Sequence, residues 1–437
     1  MAILSERRTE TRFQDFKAAW GADQAMAEAN RCLYCFDAPC IGECPAAVNV
    51  AEFIRRIATG NLRGASELVL AENPLGMSCA RVCPVEVLCS GSCVLPEMGL
   101  PAIQIGRLQR YVTDLALDND WVFTQRAPAT GKKVALVGAG PSALACAWYL
   151  GLQGHHPVIL EKDRLLGGLN TTAIAPYKMK ADRAIQEAEY LVRHSGAEVR
   201  FGVEVGRHVA WENLESEFDA VFVGVGLGPD RLMARLPGAS LAGIEGAVEF
   251  IGQIKTREID LRGIGRAVVV GGGNTAVDLT RELLQLGVPV VTLIYRRDQA
   301  SMKGYQHEWE HAVKGGAKAH WRTTPVGMVG SGRVEGVQVV RLSEDLVPID
   351  GSDFVVPTDR VFVAIGQSRL GDLAEKVSGI EAPRGLLQVD ENGFTGRPGW
   401  YAGGDCVNGG KEVVNAVADG QKAALAMDRY LQGGSNG

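Results

Sequence analysis

The chain has 437 residues, 46% of them hydrophobic, and a formal charge of −6. That length predicts two to three domains with room for a large core, and the acidic balance gives no footprint for nucleic acid. No apolar run reaches the roughly eighteen residues of a membrane span, and the charged opening MAILSERRTE lacks the apolar stretch of a secretory signal, so a cytoplasmic protein is expected.

Residues 1–126 read as helical. The stretch 24–31 (QAMAEANR) is a good helix former and leads into RCLYCFDAPCIGECP, which places Cys32, Cys35, Cys40 and Cys44 close together with Pro45 behind the last. A second run follows at Cys79, Cys83, Cys89 and Cys93, with Pro84 behind Cys83, so eight of the ten cysteines lie in the first quarter of the chain. The spacing is close to the bacterial ferredoxin run that binds [4Fe–4S] clusters, with four residues in the middle gap where that run has two. Disulfides conflict with a compartment that keeps thiols reduced. Zinc ribbons separate their cysteine pairs by a dozen or more residues, whereas the later gaps within each run here are three to five. Iron–sulfur clusters are therefore expected.

Between and after the runs the periodicity predicts three more helices. Asn49 caps one beginning at Val50, with Phe53, Ile54 and Ile57 on one face. A short one covers residues 61–70, and another covers 101–117, with Ile103, Ile105, Leu108, Val112 and Leu115 apolar. A small helical domain with few large apolar residues suits a fold held by metal clusters.

Residues 125–133 (QRAPATGKK) read as a linker. Beyond them the pattern changes to strand, glycine turn, helix and strand. Residues 134–137 and 158–160 are buried-type strands on either side of GAGPSA and a helix. A second such unit, with strands at 267–270 and 290–295 around GGGNTA, begins about 130 residues later. Residues 337–347 and 353–356 read as hairpin strands, 361–366 and 400–405 as short buried strands, and 413–430 as a closing helix.

The first fingerprint is Gly138, Ala139, Gly140, Pro141 and Ala143, in the form GxGxxA. The first glycine allows the tight turn, the second lets the backbone approach a pyrophosphate, and the small last residue lets helix and strand pack closely. Free N–H groups and the dipole at the helix start favour phosphate. Glu161 ends the next strand, 23 residues after Gly138, where an acid accepts from the adenosine ribose. The second fingerprint is Gly271, Gly272, Gly273, Asn274, Thr275 and Ala276, and its second strand ends in Tyr295, Arg296 and Arg297. Two arginines in place of the acid fit a 2′-phosphate, against the plainer reading of a solvated surface pair, so NADP is expected ahead of NAD. Cys146 and Cys406 stand singly and read as packing.

The stretch YAGGDCVNGG is similar to the second flavin motif of the two-dinucleotide-binding flavoproteins, which implies that Gly404 and Asp405 contact FAD. That family folds an outer, discontinuous FAD domain with the nicotinamide domain inserted. Over its whole length, through RCLYCFDAPCIGECP, NPLGMSCARVCP and IGRLQRYVTD, the chain resembles the family of bacterial glutamate synthase small subunits and dihydropyrimidine dehydrogenases. It resembles most the flavin subunits of two-subunit NAD(P)-dependent dihydropyrimidine dehydrogenases, because five residues separate Cys83 from Cys89.

The resemblance implies an α/β fold: a helical N-terminal domain with two [4Fe–4S] clusters, then two Rossmann-like dinucleotide-binding domains, the second inserted in the first. The expected boundaries are 1–130 for the cluster domain, 131–245 and 358–437 for the FAD domain, and 246–357 for the NAD(P) domain. It implies Cys32, Cys35, Cys40 and Cys93 around one cluster. Cys44, Cys83, Cys89 and Gln109 surround the other, with Cys79 left outside. It adds Gly168 and Leu169 (from EKDRLLGGL) and Lys178 to the FAD site. At the nicotinamide nucleotide it places Arg296, Arg297 and Lys303 on the 2′-phosphate, with Ala364, Ile365 and Gly366 nearby. It implies no catalytic side chain. Electrons would pass from NAD(P)H through FAD and the clusters to an FMN-containing, pyrimidine-binding partner subunit, with a glutamate synthase large chain as the alternative partner.

Overall fold

The computed structural model describes residues 4–434 apart from 371, 372, 374 and 375. The N-terminal region is helical: α1 (Ala22–Ala29), α2 (Pro39–Gly42), α3 (Val50–Ala58), α4 (Leu62–Glu72), α5 (Gly76–Val82) and α6 (Ile105–Asp118). Local chemistry sets the ends. Asn49 Oδ1 accepts from Glu52 N at 3.2 Å to start α3, and Asn61 Oδ1 accepts from Gly64 N at 3.0 Å to start α4. Helix α6 begins four residues later than the periodicity predicts. The segment before it is tied sideways instead: Ile103 O accepts from Ser90 and Gln104 N donates to Glu28.

The first Rossmann unit contains β1 (Lys133–Val137), α7 (Pro141–Leu152), β2 (His156–Glu161), α8 (Leu169–Thr172), α9 (Ala181–Ser195), β3 (Glu198–Phe201), α10 (Leu214–Glu217) and β4 (Ala220–Val223). The second contains β5 (Ile244–Gly246), α11 (Ala247–Thr256), β6 (Arg266–Val270), α12 (Asn274–Gln285), β7 (Val290–Ile294), α13 (Gln306–Lys314) and β8 (Lys318–His320). A three-stranded antiparallel layer follows, β9 (Thr323–Val329), β10 (Gly336–Arg341) and β11 (Phe354–Pro357). The chain ends with β12 (Arg360–Val363), β13 (Trp400–Ala402), α14 (Asp405–Asn408) and α15 (Val413–Leu431).

The two parallel sheets have the orders β13-β4-β1-β2-β3 and β5-β12-β6-β7-β8. Strand β13 pairs with β4, so the chain does return to the first sheet. The expected boundaries need correction. Strand β12 pairs with β5 and β6. Residues 360–363 therefore belong to the second sheet rather than the first, and so does β5, which starts before residue 246. A strand buried on both faces reads the same in either sheet, so its sequence does not say which one it joins.

One apolar core runs from Phe53, Ile54, Leu108 and Val112 of the helical region to Leu136, Leu144 and Met427 of the first Rossmann unit. The cluster domain thus shares its core with the unit behind it, beyond what metal alone would hold. A second core, under β6 and β7, takes in Phe13 and Tyr177 from outside its own unit. Phe13 belongs to a strap, residues 8–17, that crosses from the helical region to the second unit. Thr9 N donates to Arg257 O at 3.0 Å, Ile259 N donates to Thr9 Oγ1 at 2.7 Å, and Phe16 N donates to Tyr177 O at 2.7 Å. The Glu10 carboxylate accepts from Ala181 N at 3.0 Å.

Beneath the strap lies a fully buried lysine. Lys255 Nζ donates to Ile174 O at 2.8 Å and Met179 O at 2.7 Å, and stands 3.9 Å from Glu10 Oε2. Burial pulls its ammonium down to about 8. The nearby Glu282 carboxylate is buried with no hydrogen bond to either oxygen, and burial pushes it up. No helix among the described residues is long and apolar enough to cross a membrane.

Candidate functional site

The first fingerprint lies between β1 and α7. Gly138 has φ 100°, and a Cβ there would stand 2.6 Å from Gly224 O, so both conformation and space require glycine. Gly140 caps α7 and Pro141 is its first residue, where the missing N–H costs nothing. Ala143 is fully buried on the same turn. Glu161 closes β2 as expected. Its Oε2 accepts from Ala139 N and its Oε1 from Asp163 N, both at 2.8 Å. Burial pushes its carboxyl up despite those two bonds. Each oxygen keeps a lone pair for a further donor.

The fold brings the other residues expected at the flavin to this turn from far along the chain. Gly167 N donates to Ala139 O at 2.9 Å, which docks the loop of Gly168 and Leu169 on the fingerprint. Ser142 Oγ, in the first turn of α7, donates to Gly403 O at 3.2 Å. Gly404 caps α14 and its N–H donates to Asp419 at 2.9 Å, leaving Asp405 as the first residue of that short helix. Burial raises the Asp405 carboxyl. Cys146 and Cys406 are both fully buried, with Met427 as the sulfur neighbour of Cys146 and Val223 and Gly403 carbonyls beside Cys406. Neither has a cysteine partner.

Lys178 sits at the junction of the two units. Its Nζ is 2.9 Å from Asp278 of α12 and 2.7 Å from Glu308 of α13, so both its partners belong to the second unit. Tyr305 OH reaches back across the same junction to Glu412 at 2.8 Å.

In the second unit Gly271 has φ 148°, and a Cβ would fall 2.2 Å from Ala364 O. The fingerprint therefore packs on Ala364, the first residue of the segment Ala364, Ile365 and Gly366. Gly273 caps α12 with open space in front of it. Asn274 Oδ1 accepts from Tyr305 N at 3.2 Å, Ala276 is buried, and Thr275 is half-buried. Lys303 N and Gly304 N both donate to Gly272 O, at 3.0 and 2.9 Å, which holds Lys303 over the same turn. The side chains of Arg296, Arg297 and Lys303 are at least partly exposed and, among the described residues, form no ion pair or hydrogen bond. Three unpaired cations beside one phosphate-type turn are suited to an anion.

The cysteines fall into two groups. Cys32, Cys35, Cys40 and Cys93 line one apolar pocket with Val50, Ile54 and Leu95. Burial and the neighbouring Cys32 and Cys93 push the Cys40 thiol up to about 11. Burial, then Cys83 and Cys44, push Cys89 up to about 12. Crowded thiols that resist ionisation alone are stabilised as thiolates by iron. Among the described residues no trio of Cys, His, Asp or Glu is set to hold a single metal ion.

Gln109, on α6, spends its amide nitrogen on Gly76 O at 2.7 Å and leaves Oε1 without a bond. Cys79 is one turn from Cys83 on α5, buried, with Asn73 Oδ1 at 3.8 Å from its sulfur. Its bond to Cys83 is the largest influence raising that thiol.

Sequence reasoning missed the joint between α5 and the flavin unit. Glu187 of α9 accepts from Met77 N at 2.8 Å, Ser78 N at 3.2 Å and Ser78 Oγ, capping the start of α5. Asn170 Nδ2 donates to the same Ser78 Oγ at 2.7 Å. Burial raises the Glu187 carboxyl to about 7. The visible signal was a carboxylate on the apolar stripe Ala184, Ala188 and Leu191.

Residues 8–121 match the family model described as dihydropyrimidine dehydrogenase domain II, 4Fe-4S cluster, and residues 113–420 match that of pyridine nucleotide-disulphide oxidoreductases. The chain is 34% identical over 97% of its length to the glutamate synthase [NADPH] small chain of Halomonas elongata, covering 94% of that protein. It is 35% identical over 94% of its length to the NAD-dependent dihydropyrimidine dehydrogenase subunit PreT of Escherichia coli K12, covering 95% of it. Among solved structures, Mycobacterium tuberculosis FprA in complex with NADPH shares the fold at a TM-score of 0.58 and 20% identity, over 70% of this chain and 85% of that one.

Proposed function

Since the chain belongs to the pyridine nucleotide-disulphide oxidoreductase family, joined to a dihydropyrimidine dehydrogenase-type 4Fe-4S domain, we propose that it is an electron-transfer subunit running from NAD(P)H through FAD and two [4Fe–4S] clusters to an FMN-containing partner that reduces uracil or thymine. Bound FAD takes two electrons from a hydride and releases them singly, while a cluster carries one. The observation that supports this order is the joint at Ser78. Asn170, two residues beyond Gly168 of the flavin loop, shares Ser78 with Glu187 at the start of the helix that bears Cys79. The flavin loop and the second cysteine run are thereby held in one hydrogen-bonded chain.

The roles of this chain's residues follow. The free N–H groups of the turns at Gly138–Pro141 and Gly271–Asn274 face pyrophosphates. Glu161 accepts from a ribose, and Asp405 takes the flavin side chain at the start of α14. Arg296, Arg297 and Lys303 neutralise a 2′-phosphate. Cys32, Cys35, Cys40 and Cys93 hold one cluster, and Cys44, Cys83, Cys89 and Gln109 the other. With Cys146 and Cys406 both buried and single, electrons have no disulfide exit beside the flavin.

The five-residue gap between Cys83 and Cys89 favours a dihydropyrimidine dehydrogenase partner. A second reading, a glutamate synthase small chain, rests on the comparable identity to that protein. Co-purification with a glutamine-binding large chain would select it.

The test is anaerobic incubation of the pure chain with NADPH or NADH. Reduction of an artificial acceptor without conversion of uracil or thymine is expected, because residues 8–420 are taken up by the 4Fe-4S and dinucleotide-binding regions, whereas a second flavin barrel needs roughly 200 or more residues of its own. Dihydropyrimidine formed without another polypeptide would defeat the partner requirement. A folded preparation that takes up no FAD would defeat the reading altogether. Changing Arg296 and Arg297 together to Ala should raise KM for NADPH about ten- to a hundred-fold over its effect on NADH, since a charge-assisted contact contributes roughly 1.5–3 kcal/mol. Equal effects on the two cofactors would exclude the clamp.

A further inference from the structure

Phe36 is 98% exposed, between Cys35 and Cys40. A large aromatic side chain in full contact with water is uncommon on a surface that has no partner. It is not isolated. Leu33 (50% exposed), Met98 (62%) and Leu100 (50%) are also uncovered. Leu33 and Leu95 line the same pocket as Cys32, Cys35, Cys40 and Cys93. Leu100 N donates to Leu95 O at 3.1 Å, and Arg31 reaches Pro101 O at 2.5 Å. Phe36 follows Cys35 directly, and Met98 and Leu100 follow Leu95 by three and five residues, so these apolar side chains belong to the two segments that form the thiol-lined pocket.

The segments that carry them are acidic, and Arg31, which reaches Pro101 O, is paired with Glu28. Residues 32–54 and 82–106, which carry seven of the eight clustered cysteines, contain Asp37, Glu43, Glu52, Glu86 and Glu97 and no Lys, Arg or His. Glu52 is paired with Arg55 and Arg56, and Glu86 lies 3.9 Å from His307. Asp37, Glu43 and Glu97 are exposed and, among the described residues, make no ion pair. An apolar centre inside an unpaired acidic rim has the composition of a recognition face, with aromatic anchoring and charge steering divided between centre and rim.

We propose that this face, with Phe36 at its centre and Asp37, Glu43 and Glu97 around it, is the docking surface for a redox protein whose own electron-entry site is apolar and ringed by Lys and Arg. The assignment rests on the reading that electrons leave through the N-terminal domain. Each encounter moves one electron: this chain is oxidised by one and the acceptor reduced by one, with no proton transferred. Two encounters discharge one NAD(P)H. A small, transient contact suits such an exchange.

The probe is cytochrome c, a basic one-electron acceptor protein, with ferricyanide as a small anionic control. Binding of the holoprotein to immobilised ferricytochrome c, and NADPH- or NADH-driven reduction of both acceptors, are measured at 10 and 300 mM salt. Binding and cytochrome reduction should each fall about tenfold or more at high salt. The triple variant D37K/E43K/E97K should lower both about tenfold at low salt without slowing ferricyanide. Phe36→Ser should weaken binding several-fold at both salt concentrations and leave the salt dependence intact. Binding and rate indifferent to salt, to the charge reversal and to Phe36→Ser, with ferricyanide still reduced, would overturn the surface while leaving the electron-transfer reading in place. Failure to reduce ferricyanide at all would instead sink that reading. A stable homodimer that Phe36→Ser dissolves would assign the face to a second copy and overturn the proposal.

Discussion

Cys93→Ser is expected to lower the iron content from roughly eight to roughly four per chain, the loss of one four-iron cluster, whereas Cys79→Ser keeps both clusters. Cys93 lies on the pocket that also exposes Cys32, Cys35 and Cys40, so its thiolate has no substitute there. A serine hydroxyl ionises far less readily and is a harder ligand than a thiolate. Cys79 is already buried against Asn73, and Gln109 Oε1 remains free to complete the second set. The Cys93 variant should stay folded, because the helical region shares an apolar core with the first Rossmann unit. Iron analysis of anaerobically purified protein with a far-ultraviolet spectrum decides the matter. Equal iron loss in both variants would place Cys79 in the ligand set and remove Gln109 from it.

Lys255→Met should cost about 3–5 kcal/mol, the range for breaking a fully buried charge pair. Its ammonium donates to both Ile174 O and Met179 O, and its loss leaves both carbonyls without that bond. Glu10 keeps Arg8, but Glu282 loses the cation closest in influence to its unbonded carboxylate. The effect is read as a lower melting temperature and faster amide exchange in residues 8–13 and 255–259. Adding Glu282→Leu should restore a large part of the loss, because buried groups coupled through their charges do not act additively. A single variant within 1 kcal/mol of the parent, or a double variant with summed losses, would refute the coupling.

Both cysteine runs and both fingerprints were legible in the sequence because their spacing is local. Gly138 must occupy a positive φ beside Gly224, and crowded cysteines mark iron–sulfur chemistry by their spacing, whereas the division of the thiols between two clusters comes only from the resemblance. The return to the first sheet was legible in YAGGDCVNGG through resemblance, and β13 carries it out. What stayed hidden depends on contacts between distant segments. The run Val361–Val363 has no periodicity to reveal which sheet covers it, so β12 was assigned to the wrong one. Lys255 reads as a surface residue until the carbonyls of Ile174 and Met179 are placed around it. The strap has no apolar stripe at all: Thr9, Glu10 and Phe13 are buried by partners from two other domains. Lys178 was read from resemblance as a flavin contact, but nothing nearby in sequence announces Asp278 and Glu308, 100 and 130 residues further on.

The strap also fixes a timetable for the newborn chain. Thr9 and its partner Ile259 are separated by 250 residues. At a ribosomal rate of about 5–20 residues per second, the strap waits roughly 12–50 s for the second half of its seat to be made. Throughout that interval Glu10 and Phe13, both buried in the finished protein, are uncovered on a chain whose first helices have already formed. Docking of the strap is therefore a late, long-range step, with loop closure opposing it until the second Rossmann unit is complete. A nascent chain halted before residue 259 would present Phe13 to solvent and to chaperones, and its release past that point would hide it.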